Sequence, residues 1–130
     1  MNKGDVITNP KESFYRRVYR KDKRYIDKRT GRFLSRAFTP RPKDNGFLSV
    51  DMKRLTTLES AISNDPTKFL LGVILNEDVI DLGLKSIYDP KTLGEDGFEN
   101  NAHCLIGQID KGDESIAGIL ARKAKKIEID

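Results

Sequence analysis

The chain is short of the residues that build metal centres and redox sites: its 130 residues include one cysteine, Cys104, and one histidine, His103. A single cysteine excludes an intramolecular disulfide, and with only one histidine the usual Cys/His zinc clusters are excluded as well. This cysteine usage points to a reducing compartment. Also missing is any apolar run near the roughly 20 residues that a membrane helix needs, and the opening MNKGDVITNPKESF lacks the apolar core of a secretory signal. The expected location is therefore cytoplasmic, with no membrane partner. No Walker loop, Rossmann glycine fingerprint, nucleophile elbow or metal-protease helix motif occurs. That removes the common cofactor enzymes, and the expectation is a chain with no cofactor and no metal.

Hydrophobic residues are scarce at 37% and charged ones abundant at 34%, which predicts a modest core. A chain of this length builds one domain, residues 1–130, with residues 1–12 as its flexible end.

What the chain has in excess is positive charge at one end. Residues 1–43 carry 14 lysines and arginines against 4 acids, residues 44–111 carry 6 against 12, and residues 112–130 carry 4 of each, for a net charge of +4. A field divided this way draws polyanions to one face, or lets two molecules meet head to tail. The stretch Phe14 to Asp51 also interleaves Tyr15, Tyr19, Tyr25, Phe33, Phe38 and Phe47 with its basic residues. Aromatic rings that stack on bases, beside guanidinium and ammonium groups that track phosphates, are the requirements for holding a single-stranded nucleic acid. The candidate binding residues are Arg16, Arg17, Arg20, Arg29, Arg32, Arg36, Arg41 and Lys43, whereas Phe14, Phe33 and Phe38 serve equally well as core.

Local patterns predict the elements. Ser13 to Tyr19 reads as a first strand, with Arg16 and Arg20 on one face and Arg17 on the other. Lys28-Arg29-Thr30-Gly31 is a turn joining Tyr25-Ile26 to Arg32-Phe33-Leu34 as a hairpin. The prolines of Ala37 to Gly46 predict an exposed extended connector ending in the turn Asp44-Asn45-Gly46, and Phe47 to Asp51 alternates as a short strand. Thr56 and Glu59 have capping-box spacing for a helix from Thr57 to about Ser63 that Pro66 stops. Phe69 to Leu75 is apolar without alternation and reads as a central strand buried on both faces. Asn76 is placed to cap a brief helix that Gly83 ends. Leu84 to Tyr88 and Ala102 to Ile109 are further strands flanking the polar loop Asp89 to Asn101. Asp113 is placed to cap a C-terminal helix striped by Ile116, Ile119, Leu120, Ala124 and Ile127, with Arg122, Lys123, Lys125 and Lys126 complementing its dipole. Together these predict an α+β fold: a mainly antiparallel sheet of about four or five strands, short helices, and a C-terminal amphipathic helix packed on one face.

For catalysis, His103 is the one side chain whose ordinary pKa suits proton transfer near neutral pH. Strand alternation places it opposite to Cys104, which argues against a Cys–His nucleophile pair. Two carboxylate groups, Glu77 with Asp78 and Asp81, and Glu95 with Asp96 and Glu99, would need to converge to hold a divalent ion; capping and turn formation account for them without one. The runs Phe38 to Asp44, Leu48 to Asp51, and Asn101-Ala102-His103 resemble those of small uncharacterised bacterial proteins over about two-thirds of the chain. That resemblance carries no activity onto individual residues, and singles out Ser49, Asp51 and His103 as catalytic candidates.

The leading expectation is a non-catalytic accessory module whose basic N-terminal half binds nucleic acid or an acidic protein surface. The alternatives are a small toxin-like enzyme acting on RNA or nucleotides, either a metal-independent ribonuclease or an ADP-ribosyl transferase using Arg16 or Arg20 with Ser49 and His103, and an obligate subunit of a larger assembly.

Overall fold

The computed structural model describes residues 1–92, 99–109 and 114–129. Strands β1 (Ser13–Tyr19), β2 (Leu48–Met52), β3 (Phe69–Leu75), β4 (Lys85–Tyr88), β5 (His103–Gly107) and β6 (Lys125–Ile127) form one sheet in the order β4-β5-β2-β1-β3-β6. Every pairing between these strands is antiparallel. Helices α1 (Leu58–Ala61), α2 (Asn76–Asp81) and α3 (Glu114–Lys123) accompany it. The expected α+β architecture is the one observed, with one strand more than the upper expected number.

Alternation along β1 sorts the core into two layers. Phe14 lies opposite both Met52 and Ile74, and Val18 opposite Leu70. These side chains, with Leu48, Val50, Cys104 and Ile106, form the larger core under Phe33, Phe38, Ala117 and Leu120. Tyr15 and Leu71 point the other way and pack against Ala61 and Ile62 at the end of α1. Fully burying an aliphatic or aromatic side chain of this kind contributes about 1.5–3 kcal/mol. Gly72 makes the larger core possible: a Cβ there would stand 2.9 Å from Phe38 Cζ. The absent side chain lets the two phenylalanine rings reach the sheet.

Several elements differ from the local reading. The proline-bearing connector is not uniformly extended or exposed; it holds 3-10 turns at Ser35–Phe38 and Pro42–Asp44, and Phe38 is wholly buried. Tertiary burial of one aromatic ring outweighed the extended bias of the prolines downstream. The turn Asp44-Asn45-Gly46 forms as expected, with Asn45 at φ 53° and Gly46 at φ 84° in the left-handed region. The expected hairpin is a loop closed by a single bridge, Ile26 to Phe33. Thr57, not Thr56, caps α1, its hydroxyl accepting the Ser60 amide at 3.1 Å, and α1 ends before Pro66 because Ser63 and Asn64 turn left-handed. β3 is not the middle strand, since β1 and β2 occupy the centre.

Asn76 does not cap α2 with its side chain. It is buried, donates to the carbonyls of Ile7 and Asn9 at 2.9 Å each, and accepts the Ser86 hydroxyl at 2.7 Å. The same segment is tied to β4 through Gly4, Asp5 and Ile7 backbone bonds to Tyr88 and Ser86. Gly83 ends α2 as expected, its amide bonding the Ile80 carbonyl at φ 76°. α3 stops at Lys123, so Lys125 and Ile127 belong to β6 rather than to the helix. Asp113 and the acidic loop residues Glu95 and Asp96 lie outside the described residues.

Candidate anion-binding cleft

The site arises from a split in the sheet. β1 and β2 are in register only at Phe14 with Met52 and Tyr15 with Asp51, although β1 continues to Tyr19 against β3 and β2 starts at Leu48 against β5. The Arg20 amide bonds the Lys68 carbonyl, so the even-numbered backbone groups of β1 face β3 and the odd-numbered ones face the opposite edge. Past Tyr15, then, the peptide groups of Arg17 and Tyr19 look toward the gap, where no described strand pairs with them.

Arg16 spans that gap. Its Nε donates to the Ala37 carbonyl and its Nη1 to the Ser49 carbonyl, both at 3.0 Å. The guanidinium thus satisfies a β2 carbonyl that the departing β1 leaves without a ladder partner. Among the described residues no carboxylate lies within ion-pair distance of it, and no buried side-chain nitrogen or oxygen is unpaired. Among the described residues Nη2 has no acceptor, so it is not fully buried, and Arg16 lines the cleft. Burial pulls Arg16 down to about 10, and the neighbouring Arg41 acts in the same direction. It remains a cation at neutral pH, held in an environment that an anion would improve.

The resulting cleft has a volume of about 790 Å³. Arg16, Arg17, Arg36 and Arg41 line it together with Tyr19, Tyr25 and Phe69. Arg41 is neutralised by Asp44, Nε to Oδ2 at 2.9 Å, whereas Arg36 is exposed and makes no ion pair among the described residues. Tyr19 is 46% exposed. Its ring stacks on Tyr25 at 6.3 Å and 19° and leans on Phe69 at 4.9 Å. Arg17 lies over the Phe69 ring at 4.9 Å and donates to Ser63 Oγ, which lies outside the cleft's walls.

No family model, no curated protein and no solved structure matches this chain. Its chemistry is therefore read from its own geometry.

The remaining basic candidates are dispersed. Arg20 lies beyond the cleft, donating to the Pro66 carbonyl and pairing with Glu128 at 2.9 Å. Arg29, Arg32 and Lys43 are exposed and outside its walls. Phe14, Phe33 and Phe38 are core, while the cleft's rings come from Tyr19, Tyr25 and Phe69. Gln108 and Ile109 also reach the wall, because Gln108 Nε2 donates to the Asn45 carbonyl at 2.8 Å. Their participation depends on a contact between distant segments and leaves no local signature.

The catalytic candidates divide. Ser49 lines the cleft; Asp51 and His103 do not. Asp51 and His103 are directly opposite each other on β2 and β5, on the face away from Cys104. His103 Nδ1 stands 2.8 Å from the Asp89 carbonyl oxygen and 3.1 Å from its carboxylate, so Nδ1 is the donor toward Asp89. Asp51 accepts the Asn100 side-chain amide at 2.8 Å. Cys104 is buried, and burial pushes its thiol up to about 12, which makes it a poor nucleophile. Among the described residues no three His, Cys, Asp or Glu side chains are grouped to hold a metal ion, and no helix is long and apolar enough to cross a membrane.

Proposed function

We propose that the protein is a non-catalytic accessory module that binds single-stranded nucleic acid in the cleft between β1 and the 3-10 turns. The observation that carries this reading is Arg16, a cation lining the cleft with two donors committed to carbonyls and, among the described residues, no carboxylate within ion-pair distance. Arg36 and Arg41 stand at the same opening, and the stacked Tyr19 and Tyr25 rings offer a platform for a base. An acidic peptide shares the charge requirement but makes less use of an exposed ring.

The test is fluorescence anisotropy of a labelled 12-nucleotide oligo-U against the full chain at increasing salt. Contacts to two or three phosphates give a slope of log K against log salt of about −1.4 to −2.1, and Arg36→Glu with Arg41→Glu reduces binding at least tenfold in a chain that stays folded. Failure of the wild-type chain to bind the oligonucleotide at low salt sinks the reading, and preferential binding of polyglutamate transfers the cleft to an acidic protein.

A second reading, a small toxin-like enzyme acting on RNA or nucleotides, draws on the tautomer that Asp89 imposes on His103. It requires cleavage of RNA or consumption of a dinucleotide that His103→Ala abolishes. The separation of His103 from the arginine cleft favours the binding reading.

A further inference from the structure

The two outer edges of the sheet differ. Along β4 the N-terminal segment is laid as a cover: the Ile7 amide donates to the Ser86 carbonyl and the Gly4 amide to the Tyr88 carbonyl, both at 2.8 Å, and the Tyr88 amide donates back to Asp5 at 2.9 Å. β6 ends the sheet on the other side. Among the described residues, the backbone of residues 125–129 makes no hydrogen bond except in the pairing of β6 with β3. Strand parity identifies the groups left over. The Arg20 amide bonds the Lys68 carbonyl, so the even-numbered residues of β3 turn their backbone to β1, while Leu71 and Val73 turn theirs to β6. Leu71 stands opposite Ile127 and Val73 opposite Lys125. By the same alternation the amides and carbonyls of Lys126 and Glu128 face outward, and both residues are exposed.

We infer that this edge pairs with the same edge of a second copy of the chain, antiparallel about a two-fold axis at Ile127, so that the sheet continues from one molecule into the next. The charges select that register. The outward-facing residues can meet as Lys126 with Lys126, as Glu128 with Glu128, or as Lys126 with Glu128. The first two set like charges directly opposite each other, which destabilises a strand pair. The third sets Lys126 against Glu128 of the second copy on each side of the axis, and each such pair exchanges both of its backbone hydrogen bonds. Lysines on an edge strand ordinarily discourage strand addition; here an acid two residues further on supplies the partner. Within one molecule Lys126 Nζ and Glu128 Oε1 already stand 3.2 Å apart, so both charges lie on one face of the strand, where the second copy presents the same two in reverse order. The apolar face agrees. Ile127 and Ile129 are half-buried beside Tyr15, Ile62, Phe69 and Leu71. At the axis Ile127 meets its own copy as a non-hydrogen-bonded pair, in which side chains approach most closely, and the smaller core layer continues across the interface. The paired segment is short, so the association is weak. It does not depend on what the cleft binds.

The experiment is sedimentation equilibrium of the full chain over a wide concentration range, with Lys126→Glu, Glu128→Lys and an equimolar mixture of the two. The wild type is expected to show a concentration-dependent monomer–dimer equilibrium. Each single variant places like charges across the axis and weakens dimerisation at least tenfold. The mixture restores an opposite charge to every pair and recovers the wild-type dissociation constant to within threefold. A wild-type chain that stays monomeric into the millimolar range overturns the inference, and so does a mixture that associates no better than its components. Because Glu128 also pairs with Arg20, a second measurement leaves the charges untouched: Ile127→Cys and Lys125→Cys are each oxidised in the otherwise native chain, in which Cys104 is buried and supplies no background. Only residue 127 lies opposite its own copy, so Ile127→Cys is expected to form a disulfide-linked dimer at least tenfold faster than Lys125→Cys. Equal rates, or no cross-link at residue 127, overturn the register.

Discussion

Arg16 shows how one side chain serves fold and site together. Its fork bridges the carbonyls of Ala37 and Ser49, a geometry that an ammonium on a flexible stem cannot reproduce. Arg16→Lys keeps the charge but leaves a carbonyl unpaired, and urea denaturation is expected to show a loss of about 1–3 kcal/mol; an unchanged midpoint would remove its bridging role. Arg16 could be singled out in the sequence as basic, but so could 23 other lysines and arginines, and what distinguishes it is two backbone acceptors 21 and 33 residues away. Cys104 makes the complementary case, since its strand position already placed it opposite to His103. Its thiol is raised from 9.0 to about 12 by burial. The folded state thus keeps its proton where the unfolded state loses it, so this contribution to stability is complete below pH 9 and declines as pH rises toward 12. At pH 8 a disulfide reagent is expected to react with Cys104 only at the rate of unfolding, and immediate modification of the native chain would contradict its burial.

At the level of elements, agreement follows the range of the forces involved. β1 and β3 match the expected bounds, Ser13–Tyr19 and Phe69–Leu75, because side-chain type and apolar run length act within the segment. The cap of α1 moved by one residue, since Thr56 and Thr57 offer the same hydroxyl and only the path of the incoming chain selects between them. Thr57→Ala is expected to cost about 1 kcal/mol and Thr56→Ala much less, read from thermal melts of the two variants; equal effects would return the cap to Thr56. β6 could not be read locally, because Lys125–Ile127 continues the helical stripe in sequence and becomes a strand only where β3 offers an open edge. Asn76 was diverted for the same kind of reason: a buried site between residues 7 and 86 claimed its amide.

Across the whole molecule the basic third is neither one continuous face nor fully neutralised. Arg20, Arg24 and Arg41 are paired with Glu128, Asp22 and Asp44, while Arg36 remains at the cleft and Arg29 and Arg32 lie away from it. Reversing Arg29 and Arg32 is therefore expected to change oligo-U affinity by less than threefold, against at least tenfold for Arg36 with Arg41; equal losses in an anisotropy titration would show that diffuse charge rather than the cleft governs binding. The amino-acid sequence by itself determined the antiparallel α+β class, the main apolar strands and the charge imbalance, because alternation, turn chemistry and composition act over a few residues. Only the tertiary structure decided that β1 parts from β2 after Tyr15, that Arg16 fills the opening, and that Tyr19 and Tyr25 stack at the wall of the cleft. Those features depend on the register of strands more than 30 residues apart and on the burial of Phe38 over Gly72, and no local pattern encodes which edge a strand abandons.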